Sequence, residues 1–262
     1  NPLMLSMTAS VFELRQGIGM PSTVAELYDV ASAAMLKRSG DSSVELVHAL
    51  SALFCTAHIK QQRIITEEHL QEAQALVGAD VLRTLEARAL QDRMPLLSVL
   101  QAEPLQMQAA HLSFQEYFAA GALCEEGTKL SGARPWQWPA WWANAVELGA
   151  QMGESFGRGL LSAAGVTGDE LNLRQILGGD QPTALRAVGL LPLKSVNLSC
   201  ACPPTAPPRA RRPPARRPRA RVSVSLSVSV AGNRIGERGQ KLLRDAAGDR
   251  VELPDLDYGQ KS

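Results

Sequence analysis

The sequence predicts a mainly α-helical protein built from several small domains. Most apolar residues recur at intervals of three and four, which is the spacing of one face of a helix. Aromatic residues make up only 5% of the 262 residues, whereas alanine and leucine are plentiful, so we expect an aliphatic core. Residues that favour helix starts stand before several of these apolar patterns. The hydrophobic content of 45% is that of an ordinary globular protein.

Two helices are predicted at the start of the chain. The first begins after Pro2, ends at Gly17 and carries one apolar stripe of Leu3, Met7, Val11 and Leu14. The second has Ser22 or Thr23 as its N-cap and ends before Gly40. Its predicted inner face is Val24, Leu27, Tyr28, Ala31 and Met35.

Two more helices and an extended pair follow. The third helix runs from about Val44 to Gln62, and the fourth begins after Thr66, with two glutamates in its first turn. The segments MPLLSVL and LQMQAAHL then predict two short strands, and another helix follows them. Helices followed by a short β-wing and a further helix are typical of a winged-helix domain.

That further helix lies in HLSFQEYFAA, residues 111–120. Ser113 and Glu116 have the spacing of a capping box, so Ser113 is predicted to cap the helix. The predicted apolar face is Phe114, Tyr117, Phe118 and Gly121, and Gln115, Glu116 and Ala119 are predicted on the other sides. His111 then lies just before the helix, above a packed aromatic base.

The residues up to about 125 resemble the NACHT-type STAND NTPases, the family of the NLR-like signalling proteins. Residues 1–36 resemble the passage from the nucleotide-binding domain into the small helical domain of that family. HLSFQEYFAA resembles its winged-helix signature, F-x-H-x-S-F-Q-E-[YF]-x-A-A, although Ala109 stands where the family usually has an aromatic residue. The two segments occur in the family's order.

This resemblance implies a nucleotide-controlled switch. In the family, bound ADP locks the closed state between a P-loop domain, a proline of the small helical domain and the winged-helix histidine, which contacts the β-phosphate. Carried over to this chain, Pro2 packs on the adenine and His111 contacts the phosphate. The resemblance makes the rest of the signature structural: Ser113, Phe114, Gln115, Glu116, Tyr117 and Phe118. It implies ATP or ADP with magnesium, and homo-oligomers, only for a longer parent protein.

No part of the chain carries the motifs of an NTPase. G-x-x-x-x-G-K-[ST] does not occur, and Asp169 and Glu170 follow VTG rather than an apolar strand. We therefore expect no enzyme activity and no cofactor of its own, and the P-loop domain would be an intramolecular partner in the parent protein. Asn1 as first residue predicts a fragment of a longer chain.

No metal site is predicted. Cys55 and His58 share a helix face without further ligands, so we expect a buried thiol and an exposed imidazole. Cys200-x-Cys202 is too short a signal for zinc. All four tryptophans fall in WQWPAWW, residues 136–142, which we interpret as a buried anchor between helical subdomains.

The end of the chain predicts the start of a leucine-rich-repeat array. LPLKSVNLS resembles the strand of such a repeat, and residues 233–256 resemble the loop, helix and next strand. Between them lies a low-complexity insert with seven arginines and no acid in residues 203–221, so the remaining residues carry a net charge of −6. Repeats would bind protein partners. Two alternatives to the switch remain. One is a helical scaffold without a switch, and the weaker one is a nucleic-acid-binding module that uses the insert as a basic arm.

These observations divide the chain into six parts. The predicted parts are a small helical domain (1–40), a winged helix (41–125), a second helical domain (126–190), a repeat-like strand (191–202), a disordered insert (203–230) and a repeat-like remnant (231–262). No run of about 18 apolar residues predicts a membrane span. The spacing of the four cysteines is that of a reducing compartment, so we expect a cytoplasmic protein.

Overall fold

A computed structural model describes residues 7, 21–40, 43–125, 127–168, 170–173, 181–193, 195–197, 226–229 and 251–252. Pro2, Cys200, Cys202 and the Pro/Arg run lie outside the described residues, and so do the predictions made for them. The chain forms two compact units. The first extends to Arg134 and continues from Ala140 to Gly165, and the second consists of Pro135–Pro139 and the chain from Val166 onward.

The first unit contains seven described helices, and the prediction of a mainly α-helical protein is confirmed. The helices are α1 (Val24–Arg38), α2 (Val44–Ile59), α3 (Glu67–Val77), α4 (Ala79–Leu90), α5 (Leu112–Cys124), α6 (Ala143–Gln151) and α7 (Glu154–Ala163). A 3-10 turn at Ala140–Trp142 leads into α6. None of the helices in the described ranges combines the length and the apolar character that crossing a bilayer requires.

The first unit also contains a three-stranded antiparallel sheet. Its strands are β1 (Ile65–Thr66), β2 (Leu97–Gln101) and β3 (Gln106–Ala109), and β3 lies in the middle. The extended pair predicted from MPLLSVL and LQMQAAHL is present as β2 and β3. The two-residue strand β1, which pairs Ile65 with Met107, was not predicted because it is too short to show a period.

Side chains cap the first helices that the structure describes, and Thr23 does so as the sequence predicts. The Thr23 hydroxyl accepts a hydrogen bond from the Glu26 N–H at 3.1 Å, which caps α1. The Ser43 hydroxyl accepts from the Leu46 N–H at 3.4 Å and caps α2. Helix α3 begins with a capping box in which Thr66 is the N-cap and His69 is the third helical residue. The Thr66 N–H donates to His69 Nδ1 at 3.1 Å. These caps satisfy backbone donors that no helix can pair internally.

Helix α5 lies at the centre of the first unit and packs against α2, α6 and α7. Gln115 and Ala119, predicted to lie away from the apolar face, are only 1% and 0% exposed, so the prediction of a single buried face is wrong. A helix that is covered on most sides buries residues all round. Helix α7 approaches α5 so closely that a Cβ at Gly159 would collide with the backbone carbonyl of Leu123.

The second unit contains helix α8 (Gln181–Leu190) and four parallel strands in the order β4-β5-β6-β7. The strands are Glu170–Asn172, Ser195–Asn197, Leu226–Ser229 and Val251–Glu252, and their first residues are 25, 31 and 25 positions apart. Strand β4 lies in a region predicted to be helical, and β6 lies inside the segment predicted to be disordered. Both predictions are wrong at these strands, because three or four residues give too short a pattern beside glycines or low-complexity sequence.

Candidate functional site

The candidate site is the N-terminus of α5, where the chain turns from β3 into the helix. His111, not Ser113, is the N-cap: its backbone is extended, with φ −147° and ψ 143°, and its Nδ1 accepts from the Ser113 N–H at 3.2 Å. The predicted capping box of Ser113 and Glu116 is therefore wrong. Strand β3 ends only two residues before His111, and the helix begins two residues earlier than the sequence pattern predicts.

The cap determines the tautomer of the His111 ring. Nδ1 must carry a lone pair to accept the Ser113 N–H, and the Ser113 hydroxyl lies 2.6 Å from the same nitrogen. A neutral imidazole that accepts at Nδ1 carries its proton on Nε2. The His111 side chain is exposed, and its Nε2 makes no hydrogen bond with the described residues. The ring thus offers one N–H donor to a ligand in solution.

The aromatic residues of the signature hold α5 to α1. The Tyr28 ring of α1 meets Phe114 edge-on, with centroids 5.4 Å apart and an interplanar angle of 85°. The same ring stacks on Tyr117 at 5.6 Å and 22°. The Tyr117 hydroxyl donates to Asp29 Oδ1 at 3.1 Å, and burial together with the nearby Asp29 charge raises the pKa of this phenol. One side of α5 is therefore fastened to α1 by rings and a hydrogen bond.

The polar residues of the signature bind other elements. Gln115 is buried, and its Nε2 donates to the Gln62 carbonyl, which precedes β1, at 2.8 Å. Glu116 accepts from Asn144 Nδ2 of α6 at 2.6 Å. Burial raises the pKa of Glu116, and the Asn144 hydrogen bond and the Arg63 charge partly oppose this.

The last aromatic residue of the signature joins α5 to α2. Phe118 is 4% exposed, and its ring lies against that of Phe54 with the centroids 5.6 Å apart. Together with the contacts to α1, α6 and the segment before β1, it ties α5 to four parts of the unit. The signature residues after His111 all make packing or hydrogen-bonding contacts, whereas the Nε2 of the exposed His111 makes no hydrogen bond with the described residues.

Pro2, the second predicted nucleotide contact, lies outside the described residues. Among the residues that are described, no group of three or more His, Cys, Asp and Glu side chains is arranged to hold a metal ion. Two adjoining cavities of about 330 and 310 Å³ share Cys55, Leu76, Gly127 and Thr128, and His111 lines neither. Burial raises the pKa of the Cys55 thiol to about 12, which disfavours the nucleophilic thiolate.

His58, at the end of α2, is buried rather than exposed. His58 is 0% exposed, so the expectation of an exposed imidazole is wrong, whereas the buried Cys55 thiol is confirmed. The His58 ring stacks on Trp141 at 5.0 Å and meets Trp142 edge-on at 4.4 Å. Among the described residues, neither ring nitrogen has a hydrogen-bond partner, and burial lowers the pKa of His58 to about 3.

The tryptophan motif is divided between the two units. Trp136 and Trp138 belong to the second unit and are buried, whereas Trp141 and Trp142 belong to the first. Trp141 Nε1 donates to the His58 carbonyl at 3.0 Å, which holds the 3-10 turn against the end of α2. This partnership could not be found from local sequence, because 83 residues separate the two partners.

Comparison of the chain with models of known protein families, with curated proteins and with solved structures gave no significant match. The proposals below are therefore based on the residues and their geometry.

Proposed function

We propose that this chain is the nucleotide-sensing helical part of a NACHT-type signalling switch, in which His111 contacts the β-phosphate of ADP. The observation that carries the proposal is the outward Nε2–H of His111, which the Nδ1 contact with Ser113 leaves as a donor. An N–H donor of this kind binds a phosphate oxygen directly. A side chain that only packed in the core would not present it to solvent.

The start of α5 supports anion binding at the same place. The first turn of a helix has N–H groups without partners inside the helix, and the helix dipole adds a partial positive charge there. Helix α5 has 13 residues and carries no acidic side chain in its first turn. A phosphate near His111 would therefore meet the imidazole donor and the positive end of α5 together.

The order of elements supports the assignment to this class of protein. Helix α2, strand β1, helices α3 and α4, strands β2 and β3 and helix α5 follow one another as helices with a β-wing and a further helix. The parallel strands of the second unit begin 25 or 31 residues apart, and this spacing is close to the 20–29 residues of a leucine-rich repeat. We propose the repeats as the surface for protein partners.

This chain supplies the sensor and not the chemistry. The proposal assigns ATP or ADP with magnesium to a P-loop domain of the parent protein, whose Walker A motif we expect within about 300 residues before Asn1. His111 and the start of α5 form one wall of the pocket. The chain alone should neither hydrolyse ATP nor retain it, and homo-oligomers and a cytoplasmic location belong to the same proposal.

The test compares two substitutions at His111 in a protein that includes the P-loop domain. His111→Ser keeps a short cap acceptor but removes the outward donor, whereas His111→Ala removes both. A charge-assisted hydrogen bond is worth about 1.5 to 3 kcal/mol, so ADP retention should fall about ten- to a hundredfold in both variants. Retention is measured as the rate of release of bound ADP from the purified protein.

The rate of ADP release from His111→Ser separates the switch from a scaffold. The scaffold is the second candidate, and the contacts of Gln115, Glu116, Tyr117 and Phe118 with neighbouring elements favour it. If α5 only holds helices together, His111→Ser should release ADP as the unaltered protein does. That result would reject the nucleotide contact and leave the scaffold.

A further inference from the structure

We propose that Gln115 is a positioning residue for His111: its buried amide fixes the turn from β3 into α5, and this turn carries the imidazole. The effect on a nucleotide rests on the proposed function, whereas the effect on the His111 ring does not. Gln115 itself would not touch the phosphate, because its side chain is buried and donates to the Gln62 carbonyl.

The first step is the anchor on the strand side of the turn. Strand β3 ends at Ala109, and the next N–H, that of Ala110, donates to the Leu96 carbonyl at 3.0 Å. Pairing with the β2 side of the sheet therefore continues up to the residue before His111. On the other side of His111, the Phe114 N–H donates to the His111 carbonyl, also at 3.0 Å. His111 thus lies directly between the sheet and the helix.

The second step is the anchor on the helix side of the turn. Gln115 lies near the start of α5, four residues after His111, and its Nε2 donates to the Gln62 carbonyl at 2.8 Å. Gln62 stands three residues before Ile65, the first residue of β1, and Ile65 pairs with Met107 of β3. The start of α5 is thereby tied to the same sheet from which the chain enters the helix. His111 lies between these two anchors.

The third step is what the amide adds to packing. An apolar side chain of the same size could fill the space of Gln115, but apolar contacts have no preferred direction. A hydrogen bond fixes both a distance and an angle between its two groups. The contacts of His111 Nδ1 with the Ser113 N–H and hydroxyl, at 3.2 and 2.6 Å, require the turn to keep its angle. The Gln115 amide supplies that angle.

The consequence for the proposed switch concerns the His111 proton. Without the Gln115 amide, the edge-on contact of Phe114 with Tyr28 still packs α5 against α1, but the turn can tilt relative to β3. The His111 ring then leaves its Ser113 donors for part of the time, and its proton is no longer confined to Nε2. A ring with the proton on Nδ1 presents an acceptor to the phosphate. The nucleotide contact would weaken although no contacting residue had changed.

The experiment measures the tautomer of His111 by nitrogen-15 NMR on the complete 262-residue chain without nucleotide. Gln115→Met keeps the size of the buried side chain and removes the donor. The ratio of the Nε2–H to the Nδ1–H form should fall about two- to tenfold, the range that corresponds to the loss of one hydrogen bond. Gln115→Asn keeps an amide that is one methylene too short to reach Gln62. It should lower the ratio as well, and it decides the matter if Gln115→Met does not fold.

Gln151→Met is the matched control. Gln151 Oε1 accepts from the Ala25 N–H at 3.1 Å, so it is also a glutamine side chain that joins two distant parts of the unit. It lies near the other end of α5, where Cys124 Sγ and Met152 Sδ are 3.7 Å apart. The ratio should stay unchanged in this variant. An unchanged ratio in the Gln115 variants, or an equal fall in Gln151→Met, would reject the positioning role.

The nucleotide measurement uses the protein that includes the P-loop domain. Gln115→Met should speed the release of bound ADP by a similar factor, and Gln151→Met should not. The NMR measurement involves no nucleotide, so the ratio can fall in Gln115→Met while His111→Ser releases ADP as the unaltered protein does. That pattern would retain the positioning role and reject the proposed function. Faster release from His111→Ser with a ratio that does not respond to Gln115→Met would retain the nucleotide contact and reject the positioning role.

Discussion

His111 and His58 lie in the same unit but in opposite surroundings. His111 is exposed, and its orientation follows from two hydrogen bonds with Ser113 at Nδ1. His58 is fully buried, neither of its ring nitrogens bonds to any residue that the structure describes, and it packs against two tryptophan rings instead. The first ring offers a donor to a ligand, and the second can only pack.

The difference shows what makes a histidine available for function. Bonding at one nitrogen orients the ring and leaves the other nitrogen usable. Burial without hydrogen-bond partners disfavours the protonated, charged form of the ring. His58 is therefore a point of acid sensitivity in the structure, and His111 is a candidate contact. Three predictions test this difference, in order from the largest expected effect to the smallest.

The largest effect is the loss of stability in acid that His58 causes. Burial lowers its pKa from 6.5 to about 3, so between these values the unfolded chain binds a proton that the folded chain does not. The free energy of unfolding should fall as pH falls through this window, by up to about 1.4 kcal/mol per pH unit. From pH 6.5 to pH 5 this contribution is about 2 kcal/mol, measured by urea unfolding at each pH.

His58→Leu is the control, because it removes the titrating ring and keeps an apolar side chain of similar size. The stability of this variant should depend less on pH over the same range. His69 should leave a residual dependence of the same sign, because burial and the Lys60 charge lower its pKa as well. An equal acid dependence in His58→Leu and the unaltered chain would contradict the buried neutral state of His58.

The second effect tests how the aromatic residues hold His58. Trp141→Phe keeps an aromatic ring to stack on the imidazole but removes the Nε1–H that donates to the His58 carbonyl at 3.0 Å. Loss of one such hydrogen bond should lower the free energy of unfolding by about 1 kcal/mol. Thermal or urea unfolding measures the change. If the variant is as stable as the unaltered chain, the hydrogen bond does not anchor the 3-10 turn.

The smallest effect concerns the cap at His111. Removing an N-cap acceptor costs about 1 kcal/mol, so His111→Ala should destabilise the chain by roughly that amount. His111→Ser should recover most of the loss, because a serine hydroxyl can accept the same N–H. Urea unfolding of both variants measures the difference. Equal stability of the two variants would show that the His111 ring does not cap α5 in solution.

Local sequence predicted much of the fold. The apolar spacing located α1 and α2, and the cap at Thr23 located the start of α1, since helix periods and capping side chains act within a few residues. The strand β4 was missed, although ELNL at residues 170–173 repeats the pattern of SVNL 25 residues later. In the structure the two segments pair in parallel register, which a search for repeats could have found.

The candidate site was located by sequence but its arrangement was not. HLSFQEYFAA predicted a helix start with a histidine beside it, and α5 begins there. The capping roles of His111 and Ser113 were nevertheless exchanged. A capping box stabilises a helix by only about 1 kcal/mol. The turn from β3 into α5 places the His111 ring at the start of the helix, so His111 and not Ser113 is the N-cap.

The sequence by itself determined the mainly helical class, the position of α1 and α2 and the place of His111, because these depend on periods and caps that act over one or two turns. Only the tertiary structure decided which histidine is buried. His58 is enclosed by Trp141 and Trp142, which lie 83 and 84 residues farther along the chain, and Phe114 meets a tyrosine of α1 edge-on. Burial depends on neighbours that long-range packing supplies, and no local pattern records them.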